Sequence, residues 1–137
     1  MMERVFADTD IILDLLAQRE PFYPFAAALF SKADEGKLKI FVSALSFANL
    51  NYILYKQYTA DQARKKLLQF KTLVSVLPVN DKTVDLALSS NFKDFEDGLQ
   101  YYTAVEHSVP ILLTRNIKDY KTANIIVLTA EQFIKIK

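Results

Sequence analysis

Hydrophobic positions along the chain form two alternating patterns, which predict strands separated by helices. Short apolar runs, many of them β-branched, are typical of buried strands, and they lie at residues 5–7, 38–42, 75–79, 110–114 and 125–128. The segments between these runs repeat apolar residues every three or four positions, as amphipathic helices do. Strands alternating with helices favour an α/β fold with a parallel sheet covered by helices on both faces.

Helix starts are marked by capping residues. Ser43, Asp81 and Asp94 each precede a segment with helical spacing, where a short polar side chain can accept a backbone N–H. Residues 59–62 and 129–132 both read Thr-x-x-Gln, the spacing of a capping box. These signals predict where five of the helices begin.

The stretch around Asp8 combines a strand, an acid and a helix. The first apolar run ends abruptly at Asp8, and Ile11, Ile12 and Leu15 then follow at helical spacing. Asp8 or Asp10 can simply cap this helix. Alternatively, because ligands of open α/β sheets bind beyond the carboxyl ends of the strands, Asp8 can hold a metal there.

Composition limits the class of protein. The chain has 137 residues, enough for one domain spanning 1–137, with 51% hydrophobic and 24% charged residues. A net charge of +1 gives no general argument for binding nucleic acid. The absence of cysteine excludes disulfides and thiolate metal sites and fits a cytoplasmic location. Two glycines are too few for a glycine-rich phosphate loop, and we expect neither a membrane span nor a signal peptide.

Polar residues gather where the predicted strands end and helices begin. Because parallel strands share one edge for their carboxyl ends, these side chains are expected to meet there. Carboxylates brought together in this way repel one another unless a cation neutralises them. Oxygen ligands without cysteine or histidine point to a hard ion, Mg²⁺ or Mn²⁺. The residues concerned are Asp8, Asn49, Asp94, Glu96, Asp97, Thr114, Arg115, Asn116 and Asp119.

Several of these residues also have simpler interpretations. Asp97 and Asp119 stand three residues after Asp94 and Asn116, so each can complete a helix cap. Asp14 is expected on a solvated face or in support of the site. His107 is expected at a helix end rather than as a general base. The basic run at 64–66 is expected to be solvated, and the many aromatic residues, Tyr52 and Tyr55 among them, to lie in the core or an interface.

Four segments together resemble a PIN domain, most closely the small VapC-like toxins. They are residues 6–14, residues 42–49, Asp94-Phe95-Glu96-Asp97, and residues 113–120. The resemblance covers essentially the whole chain. It implies a three-layer α/β/α sandwich with a five-stranded parallel sheet, a Mg²⁺ or Mn²⁺ site of three or four acids, and endoribonuclease activity. It also implies an RNA substrate, a cognate antitoxin and a homodimer.

The resemblance assigns roles to individual residues. Asp8, Asp97 and Asp119 match family acids and are the expected metal ligands. Asn49 and Asn116 stand where the family usually has glutamate and often has aspartate, and we expect them to position water or phosphate. These two replacements lower the charge of the site. Thr9, Asp94, Glu96, Thr114 and Arg115 are candidates for supporting or substrate contacts, and Lys118 is expected with Arg115 to contact the RNA backbone.

Two alternatives stay open at this point. The replacements at Asn49 and Asn116 keep open the alternative of a PIN domain that binds RNA or protein without cleaving, because fewer carboxylates bind a divalent ion more weakly. Asp8-Thr9-Asp10 also resembles the Asp-x-Asp motif of haloacid-dehalogenase-type phosphatases. That family expects threonine or valine where this chain has Ile12. A response-regulator receiver is disfavoured, since its acceptor aspartate follows the third strand, where this chain has 79–81.

Overall fold

The computed structural model describes residues 2–121 and 123–136. Within them, five parallel strands form one sheet in the order β3-β2-β1-β4-β5. This confirms the α/β class and the predicted three-layer sandwich. The strands are β1 (Glu3–Ala7), β2 (Leu38–Ser43), β3 (Ser75–Leu77), β4 (Ile111–Leu113) and β5 (Ile126–Leu128).

Seven α-helices and one 3-10 helix connect and cover these strands in the described part of the chain. The 3-10 helix, Ile117–Tyr120, follows β4 directly. The α-helices are α1 (Thr9–Leu16), α2 (Tyr23–Asp34), α3 (Ala44–Gln57), α4 (Ala60–Lys71), α5 (Asp81–Leu88), α6 (Phe95–Glu106) and α7 (Ala130–Ile136). No helix within residues 2–121 and 123–136 has both the length and the hydropathy needed to cross a bilayer.

Alternate residues of the central strands pack on opposite faces of the sheet. Val5 and Val42 belong to a core that includes residues of α1, α2, α3, α4 and α7. Phe6 and Phe41 belong to a second core, which includes Tyr101 of α6. This alternation follows from the two-residue repeat of a strand, and it buries the sheet from both sides.

Local capping signals are mostly where the sequence predicted them. Ser43 caps α3 and accepts the N–H of Ser46, and both Thr-x-x-Gln boxes make their two reciprocal hydrogen bonds. One prediction was wrong, because Asn80 rather than Asp81 caps α5. The Asn80 side chain accepts the backbone N–H of Thr83 at 3.0 Å, and Asp81 lies in the first turn, where its charge favours the helix dipole.

The third strand is shorter than predicted and ends at Leu77 instead of residue 79. Pro78 follows it and has no N–H to donate to the neighbouring strand. The strand therefore stops where the hydrogen-bonded ladder can no longer continue.

Candidate functional site

Asp8 lies at the carboxyl edge of the sheet, between β1 and α1, and both of its carboxylate oxygens accept hydrogen bonds. Oδ1 accepts the backbone N–H of Thr9 at 2.7 Å, so Asp8 caps α1. Oδ2 accepts the hydroxyls of Thr114 and Tyr120, each at 3.0 Å. Burial raises the pKa of Asp8 although these bonds oppose the shift. The side chain is thus both a cap and a fixed carboxylate at this edge.

Asp97, in the first turn of α6, lies beside Asp8 through a shared partner. The Tyr120 hydroxyl that donates to Asp8 is also 3.4 Å from Asp97 Oδ1, so its one proton can serve either carboxylate. Burial, followed by the charges of Asp8, Asp94 and Asp119, raises the pKa of Asp97 to about 7. The negative charge gathered here is therefore only partly compensated by the protein.

Tyr120 is buried at the end of the 3-10 helix, and its ring packs against Phe92. Burial and the neighbouring carboxylates Asp8 and Asp97 raise the pKa of its hydroxyl, so the group stays protonated. Tyr120 had no predicted role, because nothing near it in sequence shows that its hydroxyl would reach acids 23 and 112 positions away.

Thr9 points toward α3 and α6. Its hydroxyl lies 2.8 Å from the hydroxyl of Ser46, and the Gln100 amide donates to both, at 3.1 and 3.0 Å. Ser46 and Gln100 are buried, and the sequence offered no signal for them beyond polar residues on largely apolar helices. This network holds α1, α3 and α6 together directly behind Asp8 and Asp97.

Asn49 and Glu96 meet across the gap between α3 and α6, where the Asn49 amide donates to the Glu96 carboxylate. Burial, then the charges of Asp94 and Asp8, raise the pKa of Glu96. The fold therefore places a carboxylate from α6 against the side chain that α3 contributes.

The remaining predicted residues lie around this centre. Asp94 caps α6 by accepting the N–H groups of Glu96 and Asp97. Asn116 is exposed, and its backbone N–H donates to Thr114 Oγ1 at 3.1 Å. Asp119 is also exposed and lines a cavity together with Asp94 and Asp97. Among residues 2–121 and 123–136, no three acids or histidines are grouped closely enough to hold an ion by themselves.

A second group of acids lies along α1. Asp14 is 1% exposed, so the solvated face, one of its two expected placements, was wrong. Its Oδ2 lies 3.2 Å from Nε of Arg115. The Arg115 guanidinium also covers the ring of Phe22, at 4.3 Å. Arg115 was a candidate for substrate contact, but in this structure its charge is engaged by Asp14. Asp10 accepts the backbone N–H of Arg115 at 3.2 Å, and burial with the charge of Asp8 raises its pKa to about 7.

The other residues considered in the sequence lie outside this site. His107 ends α6, as expected, and its Nδ1 lies 2.9 Å from the carbonyl oxygen of Thr103. Tyr52 and Tyr55 are 63% and 58% exposed, so neither is in the core. Arg64 and Lys65 are exposed, and Lys66 lies over the ring of Tyr58.

Comparisons with known proteins agree on one family. A PIN domain model matches residues 4–118. Ribonuclease VapC1 of Aquifex aeolicus (strain VF5) is 26% identical over 136 residues, which cover 96% of this chain and 93% of the relative. FitAcB from Neisseria gonorrhoeae has the same fold, with a TM-score of 0.68 at 17% identity over 93% of this chain and 98% of that one. A toxin-antitoxin complex from Klebsiella pneumoniae contains a chain with a TM-score of 0.66 at 22% identity, over 92% and 97%.

Proposed function

This chain belongs to the PIN domain family, and on that premise we propose that it is a Mg²⁺- or Mn²⁺-dependent endoribonuclease. The observation that carries the proposal is the Asp8–Tyr120–Asp97 arrangement at the carboxyl edge of the sheet, with its partly compensated negative charge. Family membership also removes the haloacid-dehalogenase-type alternative.

The donor set fits a hard divalent ion. Mg²⁺ usually keeps several waters and is held by one or two carboxylates together with substrate phosphates, so Asp8 and Asp97 would be sufficient to hold it. Asp119 and Asp94, on the wall of the cavity that Asp97 also lines, would complete the site directly or through water. A bound ion would supply a water of lowered pKa and positive charge beside the scissile phosphate.

Residues around the two acids would fix their geometry. Thr114 and Tyr120 donate to Asp8 and prevent its carboxylate from rotating away. Tyr120 also sets the separation of Asp8 and Asp97, while the Thr9–Ser46–Gln100 network fixes the helices behind them. Asn116, at the start of the 3-10 helix, would position water or phosphate.

The position of Glu96 favours an endoribonuclease over a PIN domain that binds RNA or protein without cleaving. Asn49 removes one carboxylate from α3, but its amide contacts the carboxylate of Glu96, so negative charge is present at the same place. The alternative, a PIN domain that binds without cleaving, is favoured by Asn49 and Asn116 taken alone. In our proposal the carboxylate of Glu96 takes the place of the carboxylate that is missing at Asn49.

The names of the relatives support a proposal about the partners. The neighbours include a toxin-antitoxin complex, and the relative in Aquifex aeolicus is named a ribonuclease. We propose that this chain is likewise the toxin of a toxin-antitoxin pair, acting on RNA in the cytoplasm as a homodimer that an antitoxin silences. Isolation of the chain from its host with a small protein encoded beside it would test this part.

Replacing Asp97 with asparagine tests the catalytic assignment. We expect Asp97→Asn to lower RNA cleavage in Mn²⁺ by more than about 100-fold. Mutation of a residue that only orients a metal ligand already lowers metal affinity or activity by about 10- to 100-fold, and Asp97 is proposed as a ligand itself. Calorimetric titration with Mn²⁺ should show weaker binding in parallel. Cleavage is followed on labelled RNA by gel electrophoresis.

Asp85→Asn is the matched control, since it removes an exposed aspartate of α5 outside the site. It should cleave RNA and bind Mn²⁺ like the wild type. Equal cleavage by Asp97→Asn and the wild type would remove Asp97 from the mechanism. A wild type that binds Mn²⁺ but leaves RNA intact would establish the non-cleaving alternative.

A further inference from the structure

A cavity of about 440 Å³ opens beside Asp97, between the segment that precedes α6 and the 3-10 helix. Three aspartates line it, Asp94, Asp97 and Asp119. Three lysines line it as well: Lys93, Lys118 and Lys121. Two of the lysines directly precede aspartates of the cavity, so the fold brings together two Lys-Asp pairs that are 25 positions apart in the chain.

The lysines of this cavity do not neutralise its acids. Within the described part of the chain, no carboxylate lies within 4 Å of the ammonium group of any of the three, although other lysines, such as Lys82 and Lys135, are paired. All three lysines are exposed. Charges of both signs therefore share one cavity without forming ion pairs, and both remain available to a ligand.

Such an arrangement suits a chain of phosphates better than a single anion. The ammonium groups of the three lysines are free of carboxylate partners among the described residues with or without a metal, so their contacts with phosphates do not require one. A divalent ion bound at the three aspartates would raise the formal charge of the cavity from zero to two positive charges. One phosphate could then lie at the acids and its neighbours at the lysines. The volume is within the range of cavities that hold a small ligand and would take about one nucleotide unit.

We propose that this cavity binds the phosphate backbone of single-stranded RNA on one side of the scissile phosphate, through Lys93, Lys118 and Lys121. The proposal rests on the endoribonuclease function proposed above and names residues that hold its substrate. Arg115 was the candidate for substrate contact, but its guanidinium is paired with Asp14. In this proposal the lysines of the cavity contact the RNA instead. Lysine contacts to phosphates carry affinity without reading sequence.

Salt dependence of RNA binding tests the proposal. Fluorescence anisotropy of a short labelled single-stranded RNA is measured in EDTA, over a series of KCl concentrations, so that no cleavage intervenes. We expect the triple variant Lys93→Gln, Lys118→Gln, Lys121→Gln to reduce the slope of log K against log[salt] by about 0.7 for each lysine removed.

The control removes the same charge from α4 through Arg64→Gln, Lys65→Gln and Lys71→Gln, all at exposed positions. This variant should keep the wild-type slope, and circular dichroism should show both variants folded. An unchanged slope in the cavity variant, an equal loss in the α4 variant, or no RNA binding by the wild type at low salt would each overturn the proposal.

The outcome is separate from that of the catalytic test, because binding is measured without a divalent ion. If the wild type cleaves RNA and the cavity variant keeps its slope, only the binding assignment fails. If the slope falls as expected but the wild type never cleaves RNA in Mn²⁺, the endoribonuclease function fails and the binding site remains.

Discussion

Asp14 of α1 and the pair formed by Asp8 and Asp97 differ in the partners that their negative charges have. Asp14 is buried against the guanidinium of Arg115, which supplies a full positive charge at 3.2 Å. Asp8 and Asp97 share only the neutral hydroxyl of Tyr120. Within residues 2–121 and 123–136, no lysine, arginine or histidine lies within 4 Å of either carboxylate.

This difference suggests a structural role for Asp14 and a ligand-binding role for Asp8 and Asp97. A buried acid with its own cation contributes to the fold, since removing either partner leaves an uncompensated charge. Burial raises the pKa of Asp14 too, but the charge of Arg115 opposes that shift. Asp97 has no such cation within 4 Å among the described residues and its pKa is raised to about 7, so a proton or an external cation would have to balance its charge. We infer that Asp14 and Arg115 fix the segment after β4, while Asp8 and Asp97 are left to bind a ligand.

Removing the internal cation should have the largest effect on stability. We expect Arg115→Met to lower the free energy of unfolding by about 3 kcal/mol, because Asp14 would stay buried without its partner. Methionine retains much of the contact with Phe22. The measurement is urea denaturation at neutral pH.

The double variant Asp14→Leu, Arg115→Met is the control for this prediction. Replacing both charges by apolar groups should recover most of the loss, since buried ion pairs exchanged for apolar residues are often neutral in stability. A loss below about 1 kcal/mol in Arg115→Met would show that the two acid groups do not differ as described.

Removing the shared hydroxyl should have an intermediate effect. Tyr120→Phe removes the one hydroxyl shared by Asp8 and Asp97 while the Thr9 and Thr114 donors to Asp8 stay, and we expect a drop in RNA cleavage of about tenfold, corresponding to about 1.4 kcal/mol. Cleavage rates in Mn²⁺ provide the measurement. Tyr101→Phe is the control, because that buried hydroxyl accepts the N–H of Asn124, away from the acids, and its loss should leave cleavage unchanged.

Equal effects of Tyr120→Phe and Tyr101→Phe on cleavage would mean that the bridging hydroxyl acts only through overall stability. A larger effect on the apparent affinity for Mn²⁺ than on the maximal rate would identify Tyr120 as a residue that sets the separation of Asp8 and Asp97.

The pH dependence of stability should show the smallest effect. The folded-state pKa of Asp97, about 7, is above the ordinary aspartate value of 3.8, so the folded state binds the proton more tightly. Stability contributed by protonated Asp97 is therefore present at low pH and is lost as pH rises from about 4 through about 7. In EDTA, Asp97→Asn should gain a few degrees in Tm over the wild type at pH 8 and little at pH 4.

Adding Mg²⁺ at pH 8 should raise the Tm of the wild type and leave Asp97→Asn nearly unchanged, because the ion would replace the proton. Asp85→Asn should follow the wild type throughout. A difference in Tm between Asp97→Asn and the wild type that does not vary with pH would refute the coupling of Asp97 to its acidic neighbours.

Most of the fold was predictable because its signals are local. The capping boxes at 59–62 and 129–132 depend on atoms three residues apart, and both form as expected. The choice between Asn80 and Asp81 was not decidable in the same way, since adjacent residues of similar capping preference compete and the backbone conformation selects one.

For the candidate site, the sequence indicated which residues lie near one sheet edge but not which of them contact one another. Polar residues after β1 and β4 and at the start of α6 indicated which edge of the sheet to consider. Whether Asp14 is solvated or buried could not be deduced, because its partner Arg115 is 101 positions away. Asp94, Asp97 and Asp119 line one cavity with three lysines, a juxtaposition that depends on the path of the 3-10 helix.

The sequence by itself determined the order of strands and helices, most of the helix starts and the polar character of one sheet edge. These properties depend on side-chain periodicity and on hydrogen bonds between near neighbours. The tertiary structure alone decided which acid receives the guanidinium of Arg115, which pair shares the hydroxyl of Tyr120 and which lysines remain unpaired. Electrostatic energies depend on distances in space, and distances between residues a hundred positions apart exist only after the chain has folded.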